Sequence, residues 1–380
     1  MNYHIEVRKE YVSLMVKLVI LISSVCLFFI PEVVFSETKK QEKVFSYYMP
    51  GLKKEDEVTV ELYDANFGKL ADKKITIEGK TMNIKKEKDS VQIISKYDAK
   101  YDLLLTIARV SENKTWQISD SYLIVNEKNT VSDDFDSKKI LLNKVDTDYV
   151  SPYHRLRAVS NIDGDDPDSN GFTGGWHTFD NKRNSPTSKM ESYQLFLDDK
   201  EYKKDGLYEA DTVKIVTTNL VQGTNTKKVD GTGRAILREK IIYTIVDGNI
   251  NVEVELSPLE DVTLDDYYFL QASTNNYNNG IIPVGDPLYP NEIKNFSQDI
   301  FGSNKEKSNC SKLILSDAAN YLIMGLDPTY GIGNYEYNKN NSIWFYKQYV
   351  KLYFNLIAKE DSPLYVKKGT VLKARGYYQF

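Results

Sequence analysis

The sequence predicts an all-β protein made of a small N-terminal β-sandwich followed by a large antiparallel β-sandwich. Three observations carry this prediction: short runs of alternating polar and apolar residues, turn residues between those runs, and no convincing amphipathic helix longer than two turns. Tyrosine, which suits half-buried sheet faces, occurs 28 times. The best short helix candidate is the segment 138–145.

The first 36 residues have the order of a secretory signal: basic residues, an apolar run and a cleavable end. The apolar run, 18–30, is about 13 residues long, whereas a transmembrane helix needs roughly 20. We therefore predict that 1–36 is a signal peptide and that the protein is secreted or held at the cell surface. An uncleaved signal segment is the alternative, and it is the only membrane contact that the sequence predicts.

Composition limits the partners and the compartment. The formal net charge is −5, which argues against nucleic acid, because phosphate binding relies on a basic face. Of two cysteines, Cys26 lies in the signal segment and Cys310 stands alone, so the exported chain has no internal disulfide. An exported protein without disulfides suits a bacterial envelope or exterior.

The chain divides into two predicted modules. Strand-like runs such as 57–63 and 101–110 place the small sandwich at 44–128, and a polar stretch without clear period links it to the large domain at 140–380. In the large domain, Asp247-Gly248 between two strand runs predicts a hairpin. The alternation over 249–256 is perfect, and it predicts that four side chains face a core: Ile250, Val252, Val254 and Leu256.

Side chains able to carry chemistry are densest between residues 151 and 179. Both histidines of the exported chain, His154 and His177, lie there, together with Arg155, Arg157 and Trp176. Histidine titrates near neutral pH, so a pair of histidines in one segment suggests acid–base chemistry. The alternative is a glycine bulge at 174–175 with a buried Trp and a hydrogen-bonded His.

An acidic loop in the same segment offers oxygen ligands at alternating spacing, an arrangement that calcium accepts. Position 177 holds His where an EF-hand needs Glu, so the hypothesis is a calcium loop of another kind. A solvated turn is the alternative. The residues of this loop are Asp163, Asp165, Asp166, Asp168 and Asn170.

Four stretches together resemble a known group of modules: 174–179, 234–245, 252–271 and 369–380. They are similar to large β-sandwich modules of bacterial secreted and phage tail-associated proteins, broadly galactose-mutarotase-like supersandwiches. The resemblance covers about 150–380 and implies that His177, with His154 and Arg155, acts in a cleft of the sandwich. The residues themselves add candidate ligand contacts, of which aromatic faces would stack on a sugar: Trp176, Arg157, Tyr267 and Tyr268.

The sequence thus predicts a bacterial protein that binds a polysaccharide or a cell-surface glycan, with calcium as its one candidate cofactor. One alternative is a polysaccharide lyase or other sugar-processing enzyme, in which His177 is the acid or base and an arginine neutralises a uronate. The other is a surface adhesion or structural module that contacts protein. The glycan interpretation gains support if His154, His177 and an arginine converge in one groove lined by tyrosines, and it loses support if His177 is buried in the core.

Overall fold

A computed structural model describes most of the chain from residue 81 onward and four short segments before it. Contacts divide the chain into two compact units, Met1–Lys80 and Thr81–Phe380. The described residues are 4–9, 18–21, 57–63, 69–76, 81–97, 100–128, 130–144, 149–150, 153–162, 164–166, 168, 171–179, 185–273, 277, 280–284, 311–316, 321–334, 337, 343–346, 351–358 and 363–380.

The described part of the first unit is one antiparallel sheet in the order β2-β1-β3-β4. Two of its strands lie within the predicted signal peptide, whose other residues are outside the described ones, so export and cleavage stay predictions. None of the helices in the described part of the chain is long and apolar enough to cross a bilayer. The strands are β1 (His4–Lys9), β2 (Leu18–Leu21), β3 (Glu57–Tyr63) and β4 (Lys69–Thr76).

The described part of the second unit forms three antiparallel sheets, of which the first has six strands in the order β13-β5-β6-β7-β8-β9. The predicted helix at 138–145 is wrong: this segment forms β9, because its backbone pairs with β8, where Ile140 opposes Leu123. The strands are β5 (Met82–Glu87), β6 (Ser90–Lys96), β7 (Tyr101–Val110), β8 (Thr115–Val125), β9 (Lys139–Lys144) and β13 (Gly206–Ala210).

The second sheet has nine strands in the order β12-β11-β14-β15-β16-β24-β20-β19-β18. The predicted hairpin joins β15 to β16: Asp247 and Gly248 both have positive φ, as a tight two-residue turn of the primed type requires. The strands are β11 (Ser188–Leu197), β12 (Lys200–Glu201), β14 (Val213–Gln222), β15 (Ala235–Val246), β16 (Asn249–Pro258), β18 (Gly280–Val284), β19 (Lys312–Ser316), β20 (Tyr321–Leu326) and β24 (Leu372–Gln379).

The third sheet has five strands, with β10-β17-β22-β21 in order and β23 paired to β17. One face of this sheet packs on the nine-stranded sheet. Across the contact, the Tyr378 hydroxyl accepts a hydrogen bond from the Gln271 amide (2.8 Å) and lies 2.7 Å from the Tyr149 carbonyl. The strands are β10 (His154–Ala158), β17 (Val262–Ser273), β21 (Ile343–Tyr346), β22 (Lys351–Ala358) and β23 (Leu364–Val366).

The all-β sandwich prediction is confirmed, and one hydrophobic core joins the three sheets of the second unit. The four core residues predicted on β16 are all buried. The compact units have other bounds than the modules predicted at 44–128 and 140–380. One reason is that β13, which lies within the segment predicted as the large domain, pairs with β5 of the six-stranded sheet, where Tyr208 opposes Ile84.

Candidate functional site

His154 and Arg155, two predicted site residues, are neighbours on β10, so their side chains point to opposite faces of the sheet. His154, Leu156 and Ala158 are buried against the nine-stranded sheet, whereas Arg155 and Arg157 are partly exposed on the outer face. His154 and Arg155 therefore do not share one groove. A role of His154 in a solvent-accessible cleft does not fit its side-chain exposure of 0%.

His154 takes part in a buried polar contact in the core. Its Nε2 lies 3.1 Å from Oε1 of Glu239 on β15, whose side chain is 1% exposed. Its ring stacks on that of Tyr267, with centroids 4.8 Å apart and planes 9° apart. Tyr267, predicted as a ligand contact, is thus part of the same interior, and burial raises its pKa well above 10.

The outer face carries a group of aromatic rings that we call the Tyr153 cluster. Tyr153 lies at its centre, stacked on Phe172 (4.9 Å, 14°), and its ring centroid is 4.8 Å from those of His177 and Tyr268. The guanidinium of Arg155 lies over the Phe172 ring, 5.0 Å from its centroid. The cluster comprises Tyr153, Phe172, His177, Tyr268 and Tyr353. The cluster contains two predicted residues, His177 and Tyr268, and a third, Arg155, lies against it on the same face.

Trp176 stands beside this cluster at the tip of a tight turn. Gly174 (φ 91°) and Gly175 (φ 47°) have backbone conformations that glycine adopts readily, and the His177 amide donates to the Gly174 carbonyl at 2.8 Å. Trp176 is 44% exposed, more than is usual for tryptophan, which is highly buried on average. The paired glycines therefore serve to present the Trp, and the predicted alternative of a buried Trp is wrong.

Asn113, in the turn between β7 and β8, fastens this glycine turn. Its Nδ2 donates to the carbonyls of Gly175 (2.5 Å) and His177 (2.8 Å), and its Oδ1 accepts from the amides of Thr187 (2.8 Å) and Ser188 (3.0 Å). The side chain is buried, and three of the four bonds are buried with it, whereas the bond to the His177 carbonyl is part-buried. The turn that carries Trp176 is therefore held in one conformation before any ligand arrives.

Burial and the charge of Lys351 lower the pKa of His177 from 6.5 to about 4. The imidazole is consequently neutral at neutral pH. A neutral imidazole cannot act there as a general acid, and a group with this pKa is a weak base. In the Tyr153 cluster, His177 thus behaves as a flat ring with polar edges.

The lowered pKa of His177 predicts a loss of stability in mild acid. The unfolded chain takes up a proton at this residue near pH 6.5 and the folded chain does so only near pH 4, so the free energy of unfolding decreases as the pH falls through this window. We expect His177 to account for about 1–2 kcal/mol between pH 7 and pH 5, reduced for its partial exposure. Urea unfolding of the protein and of His177→Phe at both pH values measures it; equal pH dependence of the two would contradict it.

A β-bulge between β10 and β17 places two consecutive carboxylates near the arginines. Arg155 opposes Asp266 and Leu156 opposes Leu264, which leaves Asp265 as the extra residue. Arg155 Nη1 lies 3.4 Å from Oδ2 of Asp266. Burial raises the pKa of Asp265, against the opposing charges of Arg155 and Arg157.

Asp165 of the acidic loop, predicted as a calcium ligand, contacts an arginine side chain. Both carboxylate oxygens of Asp165 contact Nη1 of Arg234 (2.8 and 3.1 Å), whose Nε donates to Glu260 at 2.8 Å. Burial raises the pKa of Asp165, but the bonds from Arg234 and the Ile162 amide hold it below its usual value. Asp163 and Asn170 lie outside the described residues. Within the described residues no three His, Cys, Asp or Glu side chains could hold a metal, and calcium stays a prediction.

Sequence reasoning missed several residues of this site. Asn113 occurs in an Asn-x-Thr sequence that has no bearing on its packing role, and nothing local links it to residues 174–188. Asp265 and Asp266 did carry a signal, because two adjacent acids interrupt a long apolar strand. Others are visible only through tertiary contacts: Tyr153, Phe172, Thr187 and Tyr353.

No protein-family model matches the sequence, and no curated protein sequence matches it. Among solved structures, the galactosidase domain of an alpha-galactosidase–sucrose kinase is similar over 78% of this chain and 41% of its own, with 9% identity and a TM-score of 0.36. An alpha-galactosidase from Lactobacillus brevis is similar over 76% of this chain and 39% of its own, with 8% identity and a TM-score of 0.35.

The chain thus spans about two fifths of the length of these galactosidases. TM-scores this low carry no inference about activity. The resemblance to galactose-mutarotase-like modules stays a prediction, and the function proposed below rests on the geometry of the site.

Proposed function

We propose that this protein binds a glycan at the exterior of a bacterial cell, through Trp176 and the adjoining Tyr153 cluster, without catalysing its breakdown. The observation that carries the proposal is the exposed Trp176 on a turn to which the Asn113 side chain donates two hydrogen bonds, while it accepts two more from the amides of Thr187 and Ser188. Sugar rings present apolar C–H faces that stack on flat aromatic side chains. A turn whose backbone is already held in place loses less conformational entropy on binding than a mobile one.

The surroundings of Trp176 support the same proposal. Arg155 and the edges of Tyr153 and His177 are partly exposed next to the indole turn, and they supply polar atoms for sugar hydroxyls. A neutral His177 accepts or donates a hydrogen bond without adding charge. The low pKa of this residue disfavours the alternative in which it is the acid of a lyase.

The test is glycan binding by the protein and by Trp176→Ala. We expect the substitution to weaken binding by roughly 30-fold, about 2 kcal/mol, as is typical when a central aromatic contact is truncated. Tyr330→Ala is the matched control, since Tyr330 packs its ring against Arg375 on the nine-stranded sheet, away from the site.

Tryptophan fluorescence, measured with Trp344 replaced by Phe so that Trp116 and Trp176 are the two remaining tryptophans, gives an independent readout of the same contact. A ligand that stacks on Trp176 changes the emission of an exposed indole. Trp116 is buried and stacked on Tyr193, with centroids 4.0 Å apart, and should not respond. If no glycan binds, or if Trp176→Ala and Tyr330→Ala bind equally well, the proposal fails. Release of sugar products by the unmodified protein would instead favour an enzyme.

A further inference from the structure

The β-bulge on the outer face creates a second polar group beside the aromatic rings, which we call the bulge centre: Asp265, Asp266, Arg155 and Arg157. A regular strand would send consecutive side chains to opposite faces. Here Asp266 contacts Arg155, and Asp265 interacts with both Arg155 and Arg157, so both carboxylates lie on the side of the arginines. The bulge therefore places two carboxylates, where a regular strand would place one, on the outer face at this point of the sheet.

Two atoms of the bulge centre retain hydrogen-bonding capacity. Asp265 is 9% exposed, and its Oδ1 has no hydrogen-bond partner among the described residues. The Nε of Arg155 is also buried without a partner in this part of the chain. Buried polar atoms normally find partners, so an acceptor and a donor left over at one bulge point to a ligand that offers both.

The charges of the bulge centre decide which ligand fits. Two carboxylates face two guanidinium groups, so the centre is close to neutral overall. Lys351, whose charge lowers the pKa of His177, is the first residue of β22. Ala358, which pairs with Asp266, is the last residue of that strand, so Lys351 and the bulge centre lie at opposite ends of β22. An anionic sugar would gain no net attraction from a centre whose carboxylates already balance its guanidinium groups, whereas neutral hydroxyl groups would meet one donor and one acceptor.

We propose that the bulge centre binds two neighbouring hydroxyl groups of a neutral sugar, with Arg155 donating to one and Asp265 accepting from the other. This inference rests on the proposed glycan binding and names its ligand class. Arg155 links the two parts of the site, since its guanidinium covers Phe172 of the Tyr153 cluster. It also replaces the prediction that Arg155 or Arg157 neutralises the carboxylate of a uronate.

The experiment measures binding of the purified protein to neutral polymers (dextran, galactomannan and xylan) and to acidic ones (polygalacturonate and hyaluronan). Asp265→Asn removes the charged acceptor, and Arg155→Lys keeps the positive charge but removes Nε. Asp261→Asn is the matched control: it makes the same change in charge beside the start of β17, where Asp261 contacts Tyr365 and the Lys368 amide.

We expect a neutral polymer to bind, with a loss of at least tenfold in Asp265→Asn and in Arg155→Lys and no loss in Asp261→Asn. Because burial disfavours the charged form of Asp265, Asp265→Asn should keep or raise the midpoint of thermal unfolding, which separates a binding defect from misfolding.

Three results would overturn the inference: stronger binding of acidic than neutral polymers, full binding by Arg155→Lys, or full binding by Asp265→Asn. In each of these cases, loss of binding in Trp176→Ala would still uphold the glycan proposal. If no polymer binds at all, both fail together.

Discussion

His154→Phe is expected to lower the free energy of unfolding by about 3–5 kcal/mol, because it leaves Glu239 buried without its partner. The carboxylate is 1% exposed, and its Oε2 has no partner among the described residues. Because Phe retains the stacking on Tyr267, the lost stability measures the contact between His154 and Glu239 and not the removal of an aromatic ring. The measurement is urea unfolding at pH 7, followed by a probe of β-structure.

The double variant His154→Phe, Glu239→Met supplies the control. A buried pair replaced as a whole by apolar groups of similar volume is often neutral or stabilising, so the double variant should recover most of the lost stability. Both variants should bind glycan as the parent does, since His154 faces the core. A loss below 1 kcal/mol in the single variant, or a glycan-binding defect in the double one, would show that His154 has another role.

Asn113→Asp is the second substitution with a large expected effect. It places a carboxylate oxygen against the carbonyls of Gly175 and His177, where Nδ2 now donates. The position is 7% exposed, so the charge is neither solvated nor paired. We expect a loss of about 3 kcal/mol or more in the free energy of unfolding, and we expect weaker glycan binding because the Trp176 turn is released.

Asn83→Asp is the matched control for this prediction. Asn83 on β5 also donates from Nδ2 to two backbone carbonyls, those of Val131 and Ser132, but in a loop that does not carry Trp176. It should lower stability without changing glycan affinity at a temperature where both variants are folded. If Asn113→Asp binds glycan with the same affinity as the parent, the Trp176 turn does not need the hydrogen bonds from Asn113 for binding.

Local patterns in the sequence determined much of the β-architecture. The alternation over 249–256 places four side chains in the core of any sheet, since the period of a strand is two residues. Asp247-Gly248 determines the hairpin, because few other pairs adopt two positive φ angles. The sequence also located three side chains of the site within residues 151–179, namely Arg155, Trp176 and His177. These properties depend on residues close together in the chain.

Tertiary contacts decided what the local patterns left open. The segment 138–145 is a strand because β8 offers it hydrogen-bonding partners. Strand pairing turned His154 inward and Arg155 outward, and one bulge brought Asp265 beside Arg155. Asn113 meets the glycine turn from more than 60 residues away.

The physical reason is common to all these cases. A strand satisfies its backbone only through a distant partner, and a shift of one residue in register moves its side chains to the opposite face. The sequence therefore contained residues of the site in one segment, whereas the pairing of distant strands determined how these residues are arranged.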